Sequence, residues 1–459
     1  MVFSSVTFIF FFLPIVLIID KLLASRKTSR NLLLIFSSLF FYLWGEGTGV
    51  LLLLVIALIN FSIGYKLYSC SNITWKNVLL TLGILLNLIL LFYFKYFSWL
   101  MSELGSLFPS LFGSVKIEVA LPLGISFFVF HAISYLVDTY KGIVKKHGPL
   151  DFFTYFFMFP HLIAGPIVRF SSVQFDIQNR VKNYDLFVYG AFRFILGVNK
   201  KILIANSVAP IADICFSTNN LSATDAWLGV LAYTIQIYFD FSGYSDMAIG
   251  LAAMFGIQFK ENFSAPYTCT SIKDFWRKWH ISLSTWFRDY LYIPLGGSRC
   301  SKLLTYRNLL AVFILCGLWH GAEWTFVIWG LFHGCLLIFE RLGLQKLLAK
   351  LPYVCQRIYS IFFIIIGWVF FRSDNMKQAL SYLDNMFCLN ITPVLSFGIF
   401  NLVALILGLL ICSTQWSKFL KIEHCNSKNP IALVNIPLFC LSLLVLYSNS
   451  RNPFIYFNF

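Results

Sequence analysis

Asn308-Leu-Leu-Ala-Val-Phe-Ile-Leu-Cys-Gly-Leu-Trp-His320-Gly-Ala-Glu-Trp-Thr-Phe-Val-Ile-Trp-Gly-Leu-Phe-His333-Gly-Cys-Leu-Leu-Ile-Phe-Glu340 is an apolar run bracketed by Arg307 and Arg341. Two histidines interrupt it, one in Gly-Leu-Trp-His-Gly and the other in Gly-Leu-Phe-His-Gly. A run of this length and polarity belongs in lipid, where about 20 apolar residues cross the hydrocarbon core. Counted as helix from Asn308, His320 lies about 18 Å along, near the middle of a ~30 Å core. A charged group at that depth costs at least roughly 2.5 kcal/mol, so ionisable residues there usually mark a pathway or a site. A neutral histidine bonded to a neighbouring helix is the bland alternative. The glycines on both sides favour a site, because glycine lets a ligand come close to the backbone.

The rest of the chain agrees with a membrane setting. Of 459 residues, 59% are hydrophobic, 19% aromatic and 12% charged. Soluble domains carry about a quarter charged residues, so this chain lacks the means to cover a water-facing surface. Apolar segments suggest spans near 5–20, 31–44, 50–65, 78–94, 119–137, 226–241, 358–371, 393–413 and 431–448. Shorter or interrupted stretches lie at 152–168, 186–217, 247–256 and 308–340. The expected fold is an all-α polytopic membrane protein of about ten to thirteen transmembrane or re-entrant helices. It reads as one membrane domain over 1–459, with N-terminal helices in 1–140, a catalytic core in 141–345 and C-terminal helices with an aromatic tail in 346–459. The first segment has neither the basic start nor the small-residue cleavage site of a signal peptide.

The net charge of +15 resides in loops and sets orientation rather than a nucleic-acid surface. Lys21, Arg26, Lys27 and Arg30 put the first loop in the cytoplasm and the N-terminus outside; Lys66 and Lys76, then Lys141, Lys145 and Lys146, return to the inside. The eleven cysteines are odd in number and scattered, which points to neither a disulfide framework nor a metal site.

Three segments break the pattern. Phe152 to Val168 is apolar but holds Pro160, His161, Gly165 and Pro166, and basic loops flank it on both sides. A re-entrant hairpin shielded by protein is the preferred reading over two short spans. Lys260 to Arg307 is basic, with Trp276, Trp279, Leu283 and Trp286 at the spacing of one amphipathic helix lying at the interface and His280 at its centre. A basic floor of this kind suits an anionic cofactor. Tyr238 to Asp246 puts Asp240, two serines, Gly243 and Asp246 at the end of an apolar run, which predicts a helix break facing a cavity. Capping of a following helix is an equal reading of Asp246.

Taken together, the motifs resemble the membrane-bound O-acyltransferase family, and most closely its bacterial branch that acetylates exported polysaccharides. The resemblance rests on Leu121-Pro-Leu-Gly-Ile-Ser-Phe127, Phe159-Pro-His-Leu-Ile-Ala-Gly-Pro166 and Phe239-Asp-Phe-Ser-Gly-Tyr-Ser-Asp246. It continues through Asp274-Phe-Trp-Arg-Lys-Trp-His-Ile-Ser-Leu-Ser284, Arg288-Asp-Tyr-Leu-Tyr-Ile-Pro-Leu-Gly-Gly297 and Leu318-Trp-His-Gly321. Singly these are modest signals; in this order on a polytopic chain they are specific.

The resemblance implies a ring of helices around a central tunnel in the bacterial cytoplasmic (inner) membrane. It implies His320 as the catalytic histidine and His280 as the second polar position. Asp240, Asp246, Arg288, Asp289 and His333 stand as supporting residues, with Asp240 either polarising a histidine or holding the tunnel wall. The implied donor is a cytoplasmic acyl thioester, acetyl-CoA, and no metal is required. The implied partners are an extracytoplasmic SGNH-hydrolase-like acetyltransferase and a polysaccharide acceptor, with no nucleic acid. The terminal Phe454-Ile-Tyr-Phe-Asn-Phe459 matches an aromatic motif of this branch and makes Tyr456 a candidate acyl relay, although such aromatics ordinarily form an interfacial belt. His131 stands where relatives often carry glutamine, and a buried hydrogen-bonding role is expected of it. The expected activity is therefore transfer of an acetyl group across the membrane for O-acetylation of an exported or cell-wall polysaccharide. The rival is a polysaccharide or lipid-linked sugar transporter, which would also need broken helices and intramembrane polar groups; a structural subunit of a synthase is a third reading.

Overall fold

The computed structural model describes residues 1–112, 119–180, 183–413 and 430–448. Those residues are helical almost throughout, with no β-strand among them. Among the described residues, six helices are long and apolar enough to cross a membrane: Gly49–Ser69, Ile73–Leu107, Tyr184–Ser217, Lys302–His320, Trp324–Leu348 and Tyr353–Arg372. Three shorter apolar helices, Ile125–Tyr140, Ile399–Cys412 and Val434–Ser448, join them. The protein is a multi-pass all-α membrane protein.

The chain divides into two compact units, Met1–Ala191 with Ala248–Lys260, and Phe192–Met247 with the chain from Glu261 onward. In the first, the proline- and glycine-bearing stretch 152–168 forms the short helices Pro149–Phe157 and Phe159–Leu162 followed by non-helical chain. Nine residues of helix rise only about 13 Å, too little to cross a bilayer. Protein buries this stretch almost completely, and several of its polar groups find partners: the Tyr155 hydroxyl donates to Val168 O (2.9 Å), His161 Nε2 donates to Tyr155 O (2.7 Å), and Phe159 N donates to Ser38 Oγ (3.0 Å). His131 departs from expectation. It is wholly buried with its ring 4.5 Å from that of His161, and neither of its nitrogens has a hydrogen-bond partner among the described residues.

In the second unit the segment 308–340 is a helical hairpin, Lys302–His320 and Trp324–Leu348, turning at 321–323. The hairpin closes on glycines. A Cβ on Gly317 would lie 2.1 Å from Phe326 O, and one on Gly330 would lie 2.2 Å from Phe313 O. Small residues let helix backbones meet in this way where lipid supplies no hydrophobic drive.

The first helix of the hairpin starts six residues before Asn308, because Ser301 Oγ caps it by accepting from Leu304 N (3.4 Å). His320 therefore closes a 19-residue helix about 27 Å from its first residue, rather than 18 Å along it.

The helix Ala223–Met254 runs unbroken for 32 residues, so the break expected at Tyr238 to Asp246 does not occur. Gly243 serves packing instead: its Cβ would fall 2.8 Å from Gly197 O, and one on Gly197 would fall 2.4 Å from Gly243 O. Facing this helix, Lys200–Ala205 winds as a π-helix within the Tyr184–Ser217 helix. The wider turn lets two consecutive lysines reach carboxylates six residues apart on the neighbour.

Candidate functional site

His280 sits at a joint. The helix Ile272–Lys278 is started by Ser271, whose Oγ accepts from Asp274 N (3.0 Å). Glu340 completes that start from the far end of the hairpin, its carboxylate accepting from Ile272 N (2.6 Å) and Lys273 N (3.1 Å). An acid suits this end, where free amides point outward and the helix dipole is positive. The helix stops at Lys278, and His280 takes φ +42° and ψ +55° before a second helix, Ile281–Phe287, begins. Two short helices thus replace the single amphipathic helix expected here. Trp276, Trp279, Leu283 and Trp286 are buried, so they are core residues rather than surface anchors.

Asn262 organises the joint. Its backbone oxygen accepts from Ile281 N (2.9 Å), and its Nδ2 donates to Ser245 Oγ (3.0 Å). Its Oδ1 accepts from Ser282 Oγ (2.8 Å) and Ser282 N (3.2 Å) and lies 3.2 Å from His280 Nδ1. An amide oxygen only accepts, so Nδ1 carries the ring hydrogen and Nε2 presents a bare lone pair. Nε2 is buried and has no hydrogen-bond partner among the described residues. Burial pushes this imidazole down to about 3, which keeps it neutral at physiological pH.

His320 lies among aromatic rings: Trp319 at 4.9 Å, Phe371 at 5.0 Å and Trp329 at 5.2 Å, the last nearly perpendicular. Trp319 also faces His280 (6.1 Å), and Trp329 faces His333 (5.2 Å). Trp276 closes the group, 5.2 Å from His333 and 5.6 Å from Trp329. The structure therefore gathers His280, His320 and His333 into one buried aromatic assembly. The glycine after His320 does not open room for a ligand, as the sequence suggested. A Cβ on Gly321 would lie 2.1 Å from the Phe326 ring, so the space is filled by protein.

Asp240 and Asp246 are ion-pair residues and cap no helix. Lys201 Nζ meets Asp240 Oδ1 at 2.5 Å with both side chains almost fully buried. Asp246 Oδ2 accepts from Lys200 Nζ (2.6 Å), while Arg193 spans Asp246 Oδ1 (2.6 Å) and Glu261 Oε2 (2.6 Å). These four charges line a cavity of about 280 Å³. Arg288 and Asp289 bond to each other (2.7 Å), Arg288 being largely exposed. Tyr456 lies outside the described residues.

A larger cavity of about 500 Å³ lies beside the histidines. Its cations are Lys273, Arg288 and Arg341; apolar side chains, among them Leu283, Phe287, Val312, Phe313 and Leu337, line its interior. Trp276 lines it too, and the same indole packs on His333 and Trp329. One side chain therefore separates a cation-edged apolar cavity from the aromatic assembly around His320.

The sequence pattern of MBOAT, the membrane-bound O-acyltransferase family, matches residues 69–373. The chain belongs to that family. It is 45% identical over 384 residues to a probable alginate O-acetylase of Azotobacter vinelandii, covering 83% of this chain and 76% of the relative. It is 40% identical to the corresponding protein of Pseudomonas putida over 493 aligned positions spanning both chains completely. A peptidoglycan O-acetyltransferase of Helicobacter pylori is 34% identical, with 100% of this chain and 98% of the relative covered. As a member of the membrane-bound O-acyltransferase family, the protein is an acyltransferase.

Several residues that shape the site were not singled out from the sequence: Asn262 and Ser282 around His280, Glu340 at the helix start, and Arg193, Lys200 and Lys201 on the carboxylates. A signal existed for the lysines, since adjacent Lys200 and Lys201 sit inside the apolar stretch 186–217. Asn262 carried none, because its role depends on segments that meet only in the fold.

Proposed function

We propose that the protein takes an acetyl group from cytoplasmic acetyl-CoA and passes it across the membrane for O-acetylation of an exported or cell-wall polysaccharide. The observation that carries this reading is the 500 Å³ cavity with Lys273, Arg288 and Arg341 as its cations and an apolar interior ending at Trp276. Such a cavity suits a donor that is anionic at one end and apolar near its thioester. The relatives' names give alginate and peptidoglycan as the material acetylated, which supports a glycan hydroxyl as the final acceptor.

In this mechanism a hydroxyl oxygen attacks the thioester carbonyl carbon while His320 removes its proton as general base. The tetrahedral intermediate expels the CoA thiolate, which takes the proton back and leaves as the thiol. The acceptor hydroxyl is that of Tyr456 or of a serine on an extracytoplasmic SGNH-hydrolase-like partner, which completes transfer to the sugar. His280, neutral with a bare Nε2, receives or relays a proton or orients the donor. Asp240 and Asp246 hold helices through their ion pairs.

The test uses purified full-length protein and acetyl-CoA labelled in the acetyl group. Wild type should release CoA or become labelled, and His320→Ala should do neither while unfolding at the wild-type temperature. A transporter would leave the label on CoA in both, and a His320→Ala variant with full turnover would remove His320 from the mechanism.

A further inference from the structure

The first unit carries a charged cluster that acyl transfer does not use. Asp20 receives two arginines: Arg30 donates through Nε (3.0 Å) and a terminal nitrogen (2.7 Å), and Arg180 donates at 2.9 Å. All three residues are buried. Arg180 also donates to Asn31 Oδ1 (3.2 Å) and Phe255 O (3.0 Å), so the cluster ties the helix Lys27–Glu46 to the chain at 180 and 255. Two guanidiniums against one carboxylate leave an excess positive charge within the trio. Burial is the main cause that pushes the Arg180 guanidinium down to about 10, with Asp20 opposing it and the nearby Arg30 adding to it.

A cavity of about 370 Å³ opens onto this cluster. Asp20, Arg30 and Lys21 form its polar side; Ile18, Tyr184 and Phe187 are among its walls and are 59%, 79% and 39% exposed. Large apolar side chains are left bare in this way where hydrocarbon covers them. The basic loop 21–30 is the one the charge pattern assigns to the cytoplasmic side, whose leaflet is rich in anionic lipid. Basic pockets between helices on that side hold anionic headgroups.

We propose that this cavity binds an anionic phospholipid, its phosphate against Arg30 and Lys21 and an acyl chain along Ile18 and Phe187. The bound lipid supplies the missing negative charge and braces the contacts that Arg30 and Arg180 make. A free phosphate or nucleotide satisfies the cations equally but gains nothing from the exposed apolar walls, which is why a lipid is the occupant the cavity favours.

The test is thermal unfolding and native mass spectrometry of the full chain in detergent. Dioleoyl-phosphatidylglycerol, dioleoyl-phosphatidylcholine and inorganic phosphate are the three probes. Phosphatidylglycerol should raise the unfolding temperature and remain bound in the mass spectrum, with the other two having little effect. Lys21→Glu, an exposed position that should fold normally, should weaken phosphatidylglycerol binding by roughly ten- to thirtyfold, the scale of reversing one charge at a membrane surface. Ile18→Asn should weaken it without changing charge. Equal stabilisation by phosphatidylcholine would remove the headgroup preference, and equal stabilisation by phosphate would make this a free-anion site. Unchanged phosphatidylglycerol binding in both variants would place the lipid elsewhere. Any one of these results overturns the proposal.

Discussion

Replacing Asp240 by asparagine separates a brace from a catalytic carboxylate. The substitution keeps shape and removes one charge, leaving Lys201 buried opposite a neutral amide. The two side chains are 3% and 2% exposed and meet at 2.5 Å, so the ammonium has little access to water. Lys201 also donates to Asn206 Oδ1 at 3.3 Å, which a neutral partner does not turn into charge compensation. Breaking one side of a buried ion pair costs roughly 3–5 kcal/mol, whereas replacing both partners with apolar groups is often neutral. At about 1.4 kcal/mol per decade, the loss corresponds to two to three and a half decades in the folding equilibrium. Asp240→Asn should therefore unfold at a clearly lower temperature in detergent, and Asp240→Leu with Lys201→Met should recover most of the difference. Acetyl transfer per folded molecule should stay near wild type in both, total activity falling only as the protein unfolds. If Asp240→Asn unfolds with the wild type yet loses turnover, Asp240 belongs to the chemistry and the brace is wrong.

Three further outcomes are expected. His280 has its folded pKa lowered to about 3 against an ordinary 6.5, so the unfolded chain binds its proton first on acidification. Its stabilisation is complete above pH 6.5 and disappears as pH falls toward 3; His280→Asn, which tolerates the left-handed backbone, should flatten that part of a melting-temperature profile, and an unchanged profile would contradict a buried neutral imidazole. Gly317→Ala places a methyl 2.1 Å from Phe326 O and should destabilise by about 1–3 kcal/mol in thermal unfolding; a neutral result would mean that the hairpin is looser than it is drawn. Arg341→Glu at the large cavity should raise the KM for acetyl-CoA by roughly two- to fivefold at low salt with kcat little changed, and the difference should shrink at high salt, whereas a salt-independent loss of kcat would place Arg341 nearer the reacting atoms.

The sequence was most legible where periodicity and polarity act along the chain. The membrane class and the interruption at 152–168 were both readable from it. It misled at Tyr238 to Asp246, where two aspartates, two serines and a glycine read as a break. The structure has an intact helix there, because the glycine receives a neighbouring backbone and the aspartates receive lysines and an arginine from another helix. Gly321 misled for the same reason, since the space it leaves belongs to Phe326.

Composition and segment length by themselves determined that this is a helical membrane protein, because transfer of apolar segments into lipid depends on residue type and number more than on partners. The motifs, in their order, pointed to the acyltransferase family. Only the tertiary structure decided which polar groups meet. Asn262 fixes the His280 tautomer from 18 residues away, and Glu340 starts the helix at Ile272 from 68 residues away. It also turned the tryptophans near His280 from surface anchors into the packing that joins His280, His320 and His333. Hydrogen bonds and ion pairs act over a few ångströms regardless of chain separation, so their partners emerge only when the helices are packed.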